Sequence, residues 1–149
     1  MDNTLVFREV NMNHIPVVNS WYHDPDSHYV EELTERFIKY VASNPNHYCW
    51  IIYQNNDPVG KVAYEIVEQK AYIDILINPD YRRKGLGNKI LEQVKDRPEI
   101  SSIKQIVAGI KHTNTASINL FKSVGFDAEG NEIDSDGFID YIYNIKTTI

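Results

Sequence analysis

Three consecutive cations and two glycines two residues apart share one short segment: Arg82, Arg83, Lys84, Gly85 and Gly87. A strand-like run with Ile73, Ile75, Leu76 and Ile77 lies a few residues before it, and the residues after it place apolar side chains at helical spacing. A chain that passes from strand to helix through such a turn presents free backbone N–H groups and the positive end of the helix dipole at one spot. Because phosphate binds at such spots, the segment predicts a phosphate-binding loop.

The spacing excludes two common phosphate loops. The dinucleotide pattern G-x-G-x-x-G needs a third glycine at position 90, which is Ile90. The nucleotide pattern G-x-x-x-x-G-K-[ST] does not occur in the chain. The order is instead basic-x-x-Gly-x-Gly, for which a solvated basic turn is the structural alternative.

Two segments together resemble the GCN5-related N-acetyltransferase (GNAT) family. The run from Tyr81 to Gly87 is similar to the family's acyl-CoA pyrophosphate motif. The run from Asn114 to Phe126 is similar to its N-x-x-[AS]-x-x-L-[YF]-x-x-x-G-F helix. The two motifs occur in the family's order and separation, and the resemblance covers roughly residues 60 to 130. This pairing makes a cofactor-free structural domain improbable.

The resemblance implies an α+β fold, with a mixed, mostly antiparallel central sheet flanked by helices. It also implies acetyl-CoA as acyl donor, with the pantetheine arm on strand backbone and the pyrophosphate in the basic loop. The residues that it assigns to the cofactor are Ile75, Leu76, Ile77, Arg82, Arg83, Lys84, Gly85, Leu86, Gly87, Asn88, Asn114, Ser117 and Phe121.

The implied reaction is attack of an uncharged amine on the acetyl thioester, and here the sequence departs from the family. Many members place a tyrosine proton donor where this chain has Phe121, which has no proton to give. Some place a glutamate base five residues ahead of the motif asparagine, where this chain has Gly109. Direct transfer of the family's catalytic roles therefore fails.

Candidates to replace the missing acid and base lie elsewhere in the chain. Asp74 lies on the cofactor strand and Glu65 on the strand before it, where relatives often carry a carboxylate base. Either pKa would rise on partial burial; the structural alternative is a solvent-facing or lysine-paired residue. Tyr141 is a candidate proton donor, although with ten tyrosines in the chain any one choice is weak. His112, just before Asn114, is a further candidate because histidine side chains can accept a proton near pH 7; a loop histidine without a role is the alternative.

Composition limits the number of domains and the classes of partner that the chain can have. A chain of 149 residues with 42% hydrophobic content suits one domain, residues 1–149. The net charge of −6 argues against nucleic acid as a partner. We also expect no membrane span, no metal site among the five histidines, and a cytoplasmic location. The single cysteine, Cys49, is expected to be a buried apolar residue.

Periodicity predicts the elements that position these residues. Strands are expected at 5–10, 48–53, 59–67, 71–77, 103–110 and 138–145, with a hairpin turn at 55–58. Helices are expected at 29–43, 85–96 and 114–124, with a shorter one capped by Asn13. Gly125 is expected to end the last helix.

The sequence does not identify the amine that accepts the acetyl group. The segment Trp21 to Pro25 faintly resembles the acceptor side of aminoglycoside 6′-type enzymes, and acidic residues gather at 24–35 and 134–140. If these acids bordered the acceptor site they would attract a cationic amine, such as an aminoglycoside or polyamine; otherwise they are solvated faces. The alternatives are a protein N-terminal acetyltransferase and an acyl-CoA-binding module without turnover. Many family members dimerise through edge strands, which leaves a homodimer open.

Overall fold

The structure is a computed structural model that describes residues 4–23 and 32–145. Its strands are β1 (Leu5–Glu9), β2 (His47–Gln54), β3 (Asp57–Val67), β4 (Lys70–Ile77), β5 (Gln105–Lys111), β6 (Asp127–Ala128) and β7 (Phe138–Asn144). Its α-helices are α1 (His14–Asn19), α2 (Glu35–Ser43), α3 (Leu86–Lys95), α4 (Pro98–Ser101) and α5 (Thr115–Ser123). Short 3-10 helices occupy Ser20–His23 and Pro79–Tyr81.

The strands form one seven-stranded sheet in the order β1-β2-β3-β4-β5-β7-β6. Antiparallel pairing joins β1 to β2, β2 to β3, β5 to β7 and β6 to β7. The pairing of β4 with β5 is parallel. The mixed, mostly antiparallel sheet predicted from the sequence is therefore confirmed.

The chain divides into two compact units. The first comprises residues 1–65 and 74–86, and the second comprises 66–73 and 87–149. In the first unit, α1, α2 and the 3-10 turn cover β2 and β4 through a core of Val18, Trp21, Leu33, Ile38, Ile51 and Leu76. In the second, the ring centroid of Phe126 lies 5.0 Å from that of Phe121, in an edge-on pair, and 5.6 Å from that of Tyr143, in a tilted pair. The single domain expected from the sequence stays a prediction.

The helix expected at 29–43 begins later than predicted, at Glu35. Residues 29–31 lie outside the described residues. Thr34 has extended backbone, and its side chain accepts a hydrogen bond from the Phe37 N–H, which is the N-cap geometry. Leu33 is buried before the helix starts, because the Asn19 side chain bonds both its N–H and its carbonyl. The apolar spacing extends to residues before the Thr34 cap, so the predicted start of the helix was too early.

The predicted hairpin turn and the predicted helix cap had different outcomes. The β2–β3 hairpin is confirmed, and Asn55 and Asn56 at its tip both have positive φ, 52° and 68°, as a two-residue turn of this hand requires. Asn13 is the N-cap residue of α1, as predicted, but it does not cap the helix through its side chain. That side chain makes no capping bond; instead Asn11 accepts from the Asn13 N–H, and His14 Nδ1 accepts from the Asn11 N–H.

His14 makes the first unit sensitive to acid. Its Nδ1 accepts a backbone hydrogen bond and its Nε2 lies 2.9 Å from the Tyr53 hydroxyl, so the ring is neutral with the proton on Nε2. Burial, and then the charge of Arg8, lower its pKa from the ordinary 6.5. Unfolding therefore takes up a proton as the pH falls below 6.5, and the stabilisation present above that pH is lost towards the folded-state pKa.

We therefore expect urea denaturation to give a smaller free energy of unfolding at pH 5.5 than at pH 7.5. His14→Gln should reduce that difference. An unchanged difference in this variant would show that His14 does not carry the effect.

No helix within residues 4–23 and 32–145 has the length and hydrophobicity needed to cross a bilayer.

Candidate active site

The segment after β4 is tied to the start of β3. The Asn78 N–H donates to the Val59 carbonyl at 2.9 Å, and its side-chain amide donates to the Pro58 carbonyl at 3.0 Å. The Tyr81 hydroxyl lies 3.2 Å from an Asp57 carboxylate oxygen. These bonds fix the direction in which the basic loop leaves the strand.

The basic loop has the backbone of an anion cradle. Arg82 is extended, whereas Arg83 and Gly85 have positive φ values of 62° and 74°. Changes of hand at successive residues turn neighbouring N–H groups towards one concavity, and α3 begins immediately afterwards at Leu86. Apart from Gly85 and its two chain neighbours, no atom of the described residues lies within 4 Å of the position of a Gly85 Cβ, so the space above that residue is open. The loop fits a pyrophosphate in backbone shape, in charge and in free space.

The second glycine has a different role. A Cβ on Gly87 would lie 2.9 Å from both methyl carbons of Leu120, so this glycine allows α3 to approach α5 closely. Next to it, the Asn88 side-chain amide donates to the Ser123 hydroxyl at 2.6 Å. Both residues join α3 to α5 within the second unit.

The predicted cofactor residues of α5 hold that helix together. The Asn114 side chain accepts from the Ser117 N–H at 3.2 Å and caps the helix. Phe121 is only 2% exposed and packs against Phe126. Its ring belongs to the apolar core of the second unit, and it has no proton to donate.

The ladder between β4 and β5 is short. It pairs Lys70–Tyr72 with Gln105–Val107, and both strands continue past it. Further along β4 the side chains of Ile75 and Leu76 are buried, and Leu76 belongs to the core of the first unit. Their side chains therefore serve packing, and any ligand contact of residues 75–77 falls to the backbone.

Lys61 is an active-site candidate that the sequence reasoning missed. It is 4% exposed in the middle of β3, and its Nζ donates to the Tyr22 hydroxyl at 3.3 Å. Burial opposes its charge, but the Asp74 carboxylate and then Tyr22 and Cys49 favour it, and together they raise the pKa of Lys61. The available signal was a lysine inside an apolar strand, two positions from Ala63 on the same face.

Glu65 is engaged by neighbouring polar groups. The Tyr40 hydroxyl donates to its carboxylate at 2.8 Å, and His47 Nδ1 lies 3.7 Å from the same oxygen. Burial lowers the pKa of His47, and this outweighs the opposite effects of Glu65 and then Asp74. His47 is thus neutral near pH 7 and offers the Glu65 carboxylate no positive charge.

The other candidates differ in accessibility. Asp74 is exposed on β4, whereas Tyr141 is buried on β7 opposite Ala108. His112 is exposed after β5, and its N–H donates to the Gly137 carbonyl. Cys49 is buried, and burial raises the pKa of its thiol to about 12, which agrees with an apolar packing role. The acidic residues Asp24, Asp26 and Glu31 lie outside the described residues.

Known proteins resemble this chain over nearly its whole length. The uncharacterized N-acetyltransferase YfmK of Bacillus subtilis (strain 168) is 28% identical over 139 residues, which are 91% of this chain and 94% of that one. The [ribosomal protein bS18]-alanine N-acetyltransferase of Escherichia coli (strain K12) is 31% identical over 109 residues, 69% and 74% of the two chains. The structure of spermidine N-acetyltransferase from Vibrio cholerae in complex with CoA and spermine superposes with a TM-score of 0.77 at 13% identity, covering 95% of each chain.

The acetyltransferase (GNAT) family matches residues 15–126, which contain the basic loop and the capped helix α5. The enzymes of this family use acetyl-CoA. The chain therefore belongs to the GNAT family and is an acetyl-CoA-dependent N-acetyltransferase.

Proposed function

We propose that this enzyme transfers the acetyl group of acetyl-CoA to a small cationic amine. The backbone of the Arg82–Leu86 loop and the start of α3 would hold the pyrophosphate. The backbone of residues 75–77, beyond the end of the β4–β5 ladder, would bind the pantetheine arm as an added strand does. Acetyl-CoA supplies the thioester, and the protein positions it.

The observation that carries the acceptor class is a pair of carboxylates in the first unit. Glu65 is paired with His47 across the β2–β3 ladder, with its carboxylate 3.7 Å from His47 Nδ1, and the charge of Asp74 also acts on the pKa of His47. Lys61 offsets one of the two charges, and the neutral His47 leaves the other in place. Tyr40, which is 45% exposed, presents its ring beside Glu65. A net negative patch with an exposed aromatic ring suits an ammonium group.

A comparison of acceptors tests this proposal. We expect kcat/KM for spermidine, or for an aminoglycoside, to exceed that for a peptide with N-terminal alanine. Glu65→Gln should raise KM for the polyamine by about 5–10-fold, as loss of one charge contact of about 1 kcal/mol predicts, and leave KM for acetyl-CoA unchanged. Glu129→Gln, at an exposed position of the second unit, removes the same charge elsewhere and is the control for charge alone.

The second candidate acceptor is a protein N-terminal amine. The similarity to the [ribosomal protein bS18]-alanine N-acetyltransferase favours it. Preferential acetylation of the alanine peptide, with no effect of Glu65→Gln, would favour this acceptor over the cationic amine. The homodimer, the cytoplasmic location and the absence of nucleic-acid partners stay predictions.

A further inference from the structure

His47 of β2 has a ring nitrogen without a hydrogen-bond partner beside the carboxylate of the proposed acceptor site. The residue pairs with Glu65 across the β2–β3 ladder, and its Nδ1 lies 3.7 Å from the Glu65 oxygen Oε2. That Nδ1 is buried, and among the residues that the structure describes no group bonds it. A buried ring nitrogen left unpaired is uncommon in folded proteins and needs a specific explanation.

Aromatic side chains of α2 hold the His47 ring in place. Phe37 and Tyr40 both lie edge-on to it, with ring centroids 5.4 Å and 5.1 Å away. The Tyr40 hydroxyl is itself fixed, because it donates to Glu65 and accepts from the Asn44 side-chain amide at 3.0 Å. These contacts keep Nδ1 next to the carboxylate, at a distance that a small rotation of the Glu65 side chain would reduce to a hydrogen bond.

The Glu65 carboxylate keeps one oxygen for a ligand. Its Oε2 accepts from Tyr40 and faces His47, whereas no residue of the described segments bonds Oε1. The side chain is 35% exposed, so an ammonium group in solvent can reach it. A cation bound at Glu65 and a proton on His47 would place two positive charges beside the same carboxylate. Because these charges repel each other and share one counter-charge, each should weaken the other.

Burial opposes protonation of His47, and two carboxylates favour it. The titratable groups that face the ring or act on its charge are Tyr40 of α2, Glu65 of β3 and Asp74 of β4. On β2 itself, the buried thiol of Cys49 lies two residues away. Burial lowers the pKa of His47 from 6.5, while Glu65 and then Asp74 raise it. The ring is therefore neutral above pH 6.5 and takes up a proton as the pH falls below that value.

The ring can exchange protons with solvent. The His47 side chain is 14% exposed, and it lines a cavity of about 340 Å³ between α2 and the first residues of β2. A further carboxylate, that of Glu9, belongs to a residue lining the same cavity, and none of the described residues that line it is a lysine or an arginine. Nothing basic in this cavity therefore opposes protonation of the ring.

We propose that protonated His47 competes with the acceptor ammonium for the Glu65 carboxylate, so that acid weakens acceptor binding; this inference rests on the proposed function. When both ring nitrogens carry protons, Nδ1–H donates a charged hydrogen bond to Oε2 and neutralises the patch. The effect is reciprocal, because a bound ammonium makes protonation of His47 less favourable. His47 thus sets the acid limit for binding of a cationic acceptor.

Calorimetric titration of spermidine into the CoA-saturated protein at pH 7.5 and pH 5.5 tests this inference. Alkylammonium groups stay protonated across this range, so the charge of the ligand does not change. We expect the wild type to bind spermidine at least about threefold more weakly at pH 5.5, which is part of the loss of about 5–10-fold expected when the Glu65 charge is removed. His47→Gln, which keeps a polar side chain but takes up no proton, should bind equally at both pH values. In the Glu65→Gln background, His47→Gln should change nothing further.

A nuclear magnetic resonance titration of the His47 ring needs no acceptor. Its signal is assigned as the one that is missing in His47→Gln. Glu65→Gln should lower the pKa of His47, because the carboxylate raises it in the wild type. Saturating spermidine should lower that pKa as well. The same pKa in the wild type and in Glu65→Gln would overturn the inference.

The outcomes separate this inference from the proposed function. Thermal unfolding at both pH values checks that each variant is folded. If the wild type acetylates spermidine and binds it equally well at both pH values, the inference is wrong and the proposed function stands. The same holds if His47→Gln keeps the pH dependence of the wild type. If the wild type binds acetyl-CoA but neither binds nor acetylates spermidine or an aminoglycoside, the proposed function fails, and the inference fails with it.

Discussion

Gly85→Glu is expected to raise the KM for acetyl-CoA at least about 100-fold, which corresponds to about 2.7 kcal/mol of binding free energy. Two physical effects act together. The backbone at Gly85 has a φ of 74°, which any other residue adopts with strain, so the cradle would change shape. The new carboxylate would also occupy the open space above the loop, where it would repel a pyrophosphate.

Gly130→Glu is the matched control for this change. Gly130 has a φ of 77° and, like Gly85, has no atom within 4 Å of the position that a Cβ would take, but it lies in the exposed turn after β6. The two variants therefore carry a similar backbone penalty and the same added charge. An equal rise in KM for acetyl-CoA in both variants would show that the effect is a general loss of stability and that the basic loop is not the cradle.

Asp74→Asn is expected to lower the free energy of unfolding by about 2 kcal/mol at pH 7. Lys61 is buried, and the charge of Asp74 is the main influence that keeps it protonated against the effect of burial. Removing one partner of a fully buried ion pair costs about 3–5 kcal/mol. The expected loss is smaller here because Asp74 is exposed and water screens its charge. Urea denaturation measures it.

Lys61→Met separates this electrostatic effect from lost packing. Methionine keeps most of the length of the lysine side chain and needs no counter-charge. The double variant Lys61→Met with Asp74→Asn should therefore be more stable than Asp74→Asn alone. If the double variant is the less stable of the two, the charge of Lys61 is not what Asp74 balances.

Local patterns predicted much of this fold. The six predicted strands, the hairpin at Asn55 and Asn56, and the turn from β4 into α3 depend on neighbouring residues, and all lie within about two residues of their predicted bounds. The two-residue strand β6 was not predicted. Gly125 ends α5 with a φ of 96°, as expected for a left-handed cap. Helix α2 was extended too far because its spacing continues into a segment that Asn19, fourteen residues away from Leu33, holds in another conformation.

The surroundings of the candidate acid–base groups were less predictable because they depend on strand register and on which face of the sheet is covered. The sequence does not show that the face of β3 carrying Lys61 is buried. The sequence identified Asp74 and Glu65 as carboxylates on adjacent strands, but not that Lys61 and Tyr40 already engage them.

Calorimetric titration of acetyl-CoA and of free CoA into the purified wild-type protein tests the central claim most directly. The account predicts one site with a micromolar Kd for both ligands, because the loop recognises the pyrophosphate that they share. An absence of binding by the wild-type protein would contradict the cradle, and with it acetyl transfer from this cofactor.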